Sequence, residues 1–489
     1  MTASFRRDKI TAVDTAWLRM DRPQNLMMIC GVLLFSERIG LARFRRLIDE
    51  RLLAFRRFRQ HAVQRPGFAV WETDRHFDLR RHVVKATFPH DAGRRELEAL
   101  VSELIATPLP AGHPAWQFHL VDHYQGGSAV IARIHHSYAD GIALVRVMLS
   151  MTDKAPDGPP AMPFLPLKRK SPSGESSTMD VLMQPLSGVM KSARRLGEAL
   201  VERGAGIWDD PAKAVELASQ GSALTSEIAN LAFMGQDSPT RFKGQVNIAK
   251  RVAWADPLPL DEVKTIGRAL GASINDVLLS TVAGALRSYL VAKGDAVAGL
   301  TVRALVPVSL RPLEHAYKLG NQFGLVFLEL PIGIENPVER LYAVRANMNA
   351  LKGSYQPVVT MGLLAATGAG PRLLQDVLLT LLARNASAVM TNVPGPQQPL
   401  YMAGAKISSL MFWVPQAGDI GIGVSILSYA GGVQFGLVTD RGLCPDPERI
   451  IEKFAPEFEK LALITLLSSW PREGDLDSAQ AAAVAASMA

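Results

Sequence analysis

Two adjacent histidines followed at fixed spacing by an acid and a glycine are the residues of this chain best placed to do chemistry: His135-His136-Ser137-Tyr138-Ala139-Asp140-Gly141. A neutral imidazole titrates near physiological pH and can take a proton from an attacking nucleophile, which makes it a natural general base. Residues 128–134 are short and rich in β-branched types and read as a buried strand; residues 142–151 carry the close apolar spacing of a buried helix. The histidines therefore stand where a strand ends, and Asp140 where a helix begins. Neighbouring side chains on a strand point to opposite faces, so His135 and His136 diverge, one towards a cavity and the other packed behind it. That divergence argues against a metal, whose ligands must converge, and no HExxH, third-ligand cluster or paired CxxC completes a site. With 10 histidines in 489 residues, a chance HHxxxDG is expected on the order of once per thousand such chains.

The elements that must carry this loop follow from pattern. A strand over 27–35 leads into an amphipathic helix over 41–60 bearing seven arginines, and the periodicity predicts a further helix over 94–106 and a strand over 116–121. The basic face suits either solvent or an anionic membrane surface. Residues 1–152 thus form one α/β lobe. Residues 153–245 read as an exposed connection rich in proline and serine, then a helical linker over 179–234 that either packs or lies on lipid. Residues 246–470 form a second lobe: helices over 260–270, 273–291, 336–352 and 373–382, a final helix over 446–463, strands over 301–307, 324–330 and 388–391 (running into a turn at 392–396), then 407–414, 420–429 and 433–439. Residues 471–489 are an acidic, alanine-rich tail.

Composition narrows the class. The chain is 48% hydrophobic and 20% charged, enough to bury a large core in more than one domain-sized unit. Cys30 and Cys444 cannot build a disulfide framework, which points to a reducing interior. No secretory leader and no convincing membrane span are expected: the longest uncharged stretch, 353–371, is broken by glycines and prolines. The formal charge of +7 favours anionic partners, yet no zinc-finger, helix-turn-helix or RNP-like pattern accompanies it, so nucleic acid is not expected.

HHxxxDG is the signature of CoA-dependent acyltransferases of the chloramphenicol-acetyltransferase and condensation-domain type, and the chain most resembles the bacterial wax ester synthase/diacylglycerol acyltransferase family. The resemblance runs along almost the whole chain, through Val13-Asp14-Thr15-Ala16-Trp17-Leu18, residues 77–83, Pro114-Ala115-Trp116, Asn275-Asp276, residues 306–312, Gly320-Asn321 and residues 391–396. Ala115 departs from the family's usual Pro-Leu-Trp. The resemblance implies an α/β fold of two chloramphenicol-acetyltransferase-like lobes, with mixed sheets flanked by helices and a tunnel between them.

It also implies transfer of a long-chain acyl group from acyl-CoA to diacylglycerol or a long-chain fatty alcohol, without a cofactor, on the inner face of the membrane or on lipid inclusions in the cytoplasm. His136 is then the base and His135 a positioning residue. Asp140 is expected in a salt bridge to Arg311 across the lobes, and Gly141 in a tight turn beside the base. Asn275 alone reads as a cap or first-turn residue; the resemblance moves it, with Asp276, towards the reaction centre as support for the transition state. Three other classes remain open: a carrier-protein-dependent condensation enzyme, a non-catalytic lipid-binding protein and a metal hydrolase.

Overall fold

The computed structural model describes residues 8–65, 68–90, 92–161, 227, 229–231, 233–311 and 319–467. Most of the helical linker expected over 179–234, and the tail over 471–489, lie outside them.

In chain order the first half contains β1 (Asp8–Lys9), α1 (Ala12–Met20), β2 (Met28–Phe35), α2 (Leu41–Leu47), β3 (Gln60–Arg65), β4 (Phe68–Thr73), α3 (Leu79–His82), β5 (Val83–Lys85), α4 (Arg94–Ala106), β6 (Trp116–Tyr124), β7 (Gly127–His135) and α5 (Gly141–Ser150). The second half contains β8 (Lys250–Trp254), β9 (Leu258–Pro259), α6 (Leu260–Ala269), α7 (Ile274–Ala292), β10 (Val302–Ser309), β11 (Phe323–Leu330), α8 (Pro337–Leu351), α9 (Gln356–Ala369), α10 (Arg372–Asn385), β12 (Ala388–Pro394), β13 (Tyr401–Met402), β14 (Ala405–Trp413), β15 (Ile422–Tyr429), β16 (Gly432–Asp440) and α11 (Glu448–Leu467). Side-chain caps start the helices that matter most here: Thr11 accepts from the Asp14 N–H ahead of α1, and Asp140 from the Ala143 N–H ahead of α5.

Two mixed sheets organise the halves. One runs β13-β14-β2-β7-β6-β5 and the other β11-β10-β12-β15-β16-β8, each mainly antiparallel with parallel pairs within it. A smaller sheet, β1-β4-β3, lies apart from them. The first large sheet is not made by residues 1–152 alone. β14 crosses from the second half and pairs antiparallel with β2, from Ile407 opposite Phe35 to Trp413 opposite Cys30. The sheet that carries the histidines is thus completed by a strand from some 270 residues beyond them, which ties the halves together through main-chain hydrogen bonds.

Several sequence expectations are corrected. The amphipathic helix over 41–60 is in fact broken into α2, a π-helical turn at Ile48–Leu52 and a 3-10 turn at Arg56–Arg59. Its arginines go to separate partners: Arg45 donates to the Val83 carbonyl, Arg51 pairs with Asp153, and Arg57 lies over the Trp71 ring. Residues 392–394, expected to turn, continue β12 because they pair with Ile426, Leu427 and Ser428 of β15. The uncharged stretch 353–371 forms helix α9, which packs against α1 so closely that a Cβ at Gly368 would lie 1.7 Å from the Ala12 carbonyl oxygen. Among the described residues no single helix is long and apolar enough to cross a membrane.

Candidate active site

The histidine loop joins the last residue of β7 to the first of α5, and both histidines are buried. They diverge as strand geometry requires. His135 Nδ1 receives the Ser137 hydroxyl at 2.9 Å and the Ser137 N–H at 3.2 Å, so the ring proton sits on Nε2, 3.9 Å from an Asp21 carboxylate oxygen. This ring is committed to holding its own loop.

His136 faces another set of groups. Its imidazole stacks on the Trp17 indole, centroids 4.3 Å apart and planes 19° from parallel, with Phe323 at 5.5 Å on a tilted approach. Its Nδ1 is buried and makes no hydrogen bond of normal geometry to a described residue. The main chain is pinned on both sides: the His136 N–H donates to the Met27 carbonyl at 2.7 Å, and its carbonyl accepts from Asn321 Nδ2 at 2.8 Å. Burial pushes both imidazoles down to about 4, and for His136 the negative charge of Asp140 is the leading opposing influence. Both rings are therefore neutral at physiological pH, the state a base needs.

The acid of the motif bridges the halves. One oxygen of Asp140 caps α5; the other accepts from Arg311 Nη2 at 2.7 Å and from the Gln322 N–H at 3.0 Å. Arg311 also donates to the Gly320 carbonyl at 2.5 Å. The expected Asp140–Arg311 pair is therefore present and buried on both sides. Gly141 departs from expectation: its φ lies outside the left-handed region, because Asp140 opens a regular first helical turn that needs no such bend. A Cβ at Gly141 would meet no atom within 4 Å.

That open space belongs to a cavity. About 950 Å³ of atom-free space, open solvent at its mouth included, is lined by residues of both halves, among them Leu33, Ile134, Leu144 and Met148 from the first and Val393 and Leu410 from the second. The walls are almost wholly apolar, and Ile134 and Gly141, which flank the histidine loop, both belong to them. Neither histidine lines the cavity itself.

Asn275 and Asp276 stand apart from the histidines. Asp276 closes a capping box with Ser273 at the start of α7, and the Asn275 side-chain carbonyl accepts from Asn392 Nδ2 at 2.8 Å. Among the described residues neither hydrogen-bonds to the histidine loop. Both cysteines are buried, and burial pushes the Cys30 thiol up to about 12 and that of Cys444 to about 11, which leaves neither as a thiolate nucleophile. Among the described residues no three His, Cys, Asp or Glu side chains are grouped to hold a metal ion.

Two half-chains joined by a crossover strand, with HHxxxDG at their junction, define the fold class of the wax ester synthase/diacylglycerol acyltransferases and the condensation domains. The structure of wax ester synthase/diacylglycerol acyltransferase from Marinobacter aquaeolei VT8 superposes with a TM-score of 0.65 at 22% identity, covering 94% of this chain and all of that one. The starter condensation domain of rhizomide synthetase with C8-CoA gives 0.55 at 12% identity, covering 96% and 97%.

The chain belongs to the wax ester synthase/diacylglycerol acyltransferase family: the family's catalytic-domain profile matches residues 10–278 and its C-terminal-domain profile residues 319–462. Among similar proteins are two probable diacylglycerol O-acyltransferases of Mycobacterium tuberculosis. One, tgs2, is 28% identical over 90% of this chain and 95% of its own length; the other, tgs1, is 26% identical over 86% and 87%.

Asp14, Trp17, Asn321 and Phe323 lie around His136, yet residue spacing alone assigns them no part in the site. Asp14, Trp17 and Asn321 were visible only as fragments of the family pattern; Phe323 carried no signal beyond lying at the edge of a strand.

Proposed function

We propose that this protein is an O-acyltransferase that moves a long-chain fatty acyl group from acyl-CoA to diacylglycerol, a long-chain fatty alcohol or both, giving triacylglycerol or wax ester. The observation that carries the reading is a buried, neutral His136 whose loop is flanked by residues of an apolar cavity. Apolar walls suit a hydrocarbon chain, since each buried methylene contributes about 0.8 kcal/mol.

In this reading the acceptor hydroxyl attacks the thioester carbonyl while His136 takes its proton. The imidazolium so formed lies in the field of Asp140, whose negative charge favours it. Collapse of the tetrahedral intermediate expels the CoA thiolate, which recovers the proton from His136, so no acyl-enzyme forms. The developing oxyanion needs a donor, which the Asn275 side chain or, equally, backbone amides would supply. No cofactor is required. The reaction would run on a membrane face or lipid inclusion in the cytoplasm, where both lipid substrates reside, by peripheral association.

Thiol release from palmitoyl-CoA, with hexadecanol and a diacylglycerol offered separately, tests the reading in wild type and His136→Ala. Loss of a general base costs about 10²–10⁴-fold, so turnover should fall by at least 100-fold with the fold intact. Undiminished turnover would end the mechanism. The fold's likeness to condensation domains makes a pantetheinyl-carrier thioester the comparison donor: turnover with it and none with acyl-CoA would favour a carrier-dependent enzyme.

A further inference from the structure

The first helix reaches the main chain of His136 through a relay. Asp14, fully enclosed on α1, accepts with a single oxygen from both the main-chain N–H of Asn321 at 3.0 Å and its side-chain Nδ2 at 2.7 Å. The same Asn321 Nδ2 donates its second hydrogen to the His136 carbonyl at 2.8 Å. This fixes the amide's orientation, because a flipped Asn321 would set its oxygen against two acceptors. Asn321 follows Gly320, whose φ of +108° suits glycine alone and whose carbonyl receives the Asp140 N–H and Arg311. Three residues later on the same face of α1, Trp17 covers the His136 ring.

We infer that Asp14 is a positioning residue for the base: acting through Asn321, it fixes the main chain of His136 and so the place from which the imidazole reaches its substrate. Burying a carboxylate is unfavourable unless its hydrogen bonds are strong, and desolvation raises the pKa of Asp14 despite the lowering influence of Asn321, Thr11 and Arg57. Small displacements at a base are costly, a misplacement of about 1 Å being able to lower a rate some 100-fold.

The inference rests on His136 being the base, and the test separates the two. Purified full-length wild type, Asp14→Ala, Asn321→Ala, the double variant, Asp14→Asn and His136→Ala are assayed for kcat, for KM towards palmitoyl-CoA and hexadecanol, for pH dependence and for Tm. Glu457→Gln serves as a destabilised control, since the buried Arg340–Glu457 pair lies away from the site on α8 and α11. We expect Asp14→Ala and Asn321→Ala to lower kcat 10- to 100-fold with KM changed less than threefold. The double variant should be no worse than the poorer single, because both cut one relay. Asp14→Asn, which keeps an acceptor oxygen, should recover most of the rate.

The acid limb of kcat/KM should move towards the ordinary histidine range in the alanine variants, as the loosened ring meets water, and stay in place in the control. If Asp14→Ala does not fold, Asn321→Ala carries the same test from the other end of the relay. A kcat loss no larger than that of the control, or multiplicative losses in the double variant, would overturn the inference. Full activity in His136→Ala would overturn the base itself.

Discussion

Cutting the Asp140–Arg311 pair should destabilise the protein by an amount that depends on which partner is removed. Arg311→Met leaves the Asp140 carboxylate buried but still accepting from two main-chain N–H groups, those of Ala143 and Gln322. Breaking a buried pair from one side costs about 3–5 kcal/mol, and the remaining donors place this variant near ~3. Asp140→Leu does more. It takes the buried carboxylate away from the Arg311 guanidinium for about 3–5 kcal/mol, removes the α5 cap for about 1 kcal/mol, and leaves the Gln322 N–H unsatisfied for about 1–3, a sum of ~5–9.

Unfolding entropy near 2.1 cal/mol/K per residue gives ~1 kcal/mol/K for a cooperative chain of this length, so the expected falls in Tm are ~3 °C and ~5–9 °C. The double variant Asp140→Leu/Arg311→Met removes both charges and keeps only the lost cap and the Gln322 N–H, about 2–4 kcal/mol, so it should melt above Asp140→Leu alone. Differential scanning calorimetry at pH 7 reads all three. An Arg311→Met fall below ~1 °C, or a double variant melting below Asp140→Leu, would refute the reasoning that the pair is a desolvated ionic contact.

Two further expectations follow from the site. Because the folded pKa values of His135 and His136 lie near 4, below the unfolded value of about 6.5, the unfolded chain binds more protons between those pH values. Stability should therefore fall as pH drops from about 6.5 to about 4, by up to ~3 kcal/mol for each histidine, while kcat/KM stays flat from about pH 5.5 to 8; melts and rates taken at the same pH values check both, and an acid limb centred at 6.5 would contradict a buried base. Gly141→Leu places a side chain where no atom lies within 4 Å of a Cβ, on the cavity wall. Its Tm should change by less than ~2 °C while turnover of palmitoyl-CoA falls at least tenfold and that of a short-chain acyl-CoA falls less; equal losses for both would remove the cavity from chain binding.

The local grammar of the chain was readable because it is written in contiguous residues. β7, its termination at the histidines and the Asp140 start of α5 follow from β-branched content, apolar spacing and a capping acid. The Asp140–Arg311 pair was reachable through the family pattern. Asp14 and Asn321 are 307 positions apart, and nothing in either neighbourhood encodes that they meet. The helix expected over 41–60 failed for a related reason: its arginines satisfy a helical period on paper, but distant partners at Val83, Asp153 and Trp71 break the path. In α9 the contact is equally remote: Gly368 sits where a Cβ would meet the Ala12 carbonyl oxygen of α1.

The same long-range contacts place His136 at a junction. His136 belongs to the sheet of the first half, yet its carbonyl is held by Asn321 and its acid neighbour by Arg311 and Gln322, all from the second. Those hydrogen bonds cross from one half to the other, so the geometry of the His136 loop depends on the docking of the two. The cavity spans that boundary, lined by β2, β7 and α5 of the first half and by β12, β14 and β15 of the second. A fatty chain bound there would bury apolar surface against both walls at once, strengthening the docking that orients His136. On the proposed reading, the remote and unreactive hydrocarbon of the substrate thus contributes to the chemistry at its thioester.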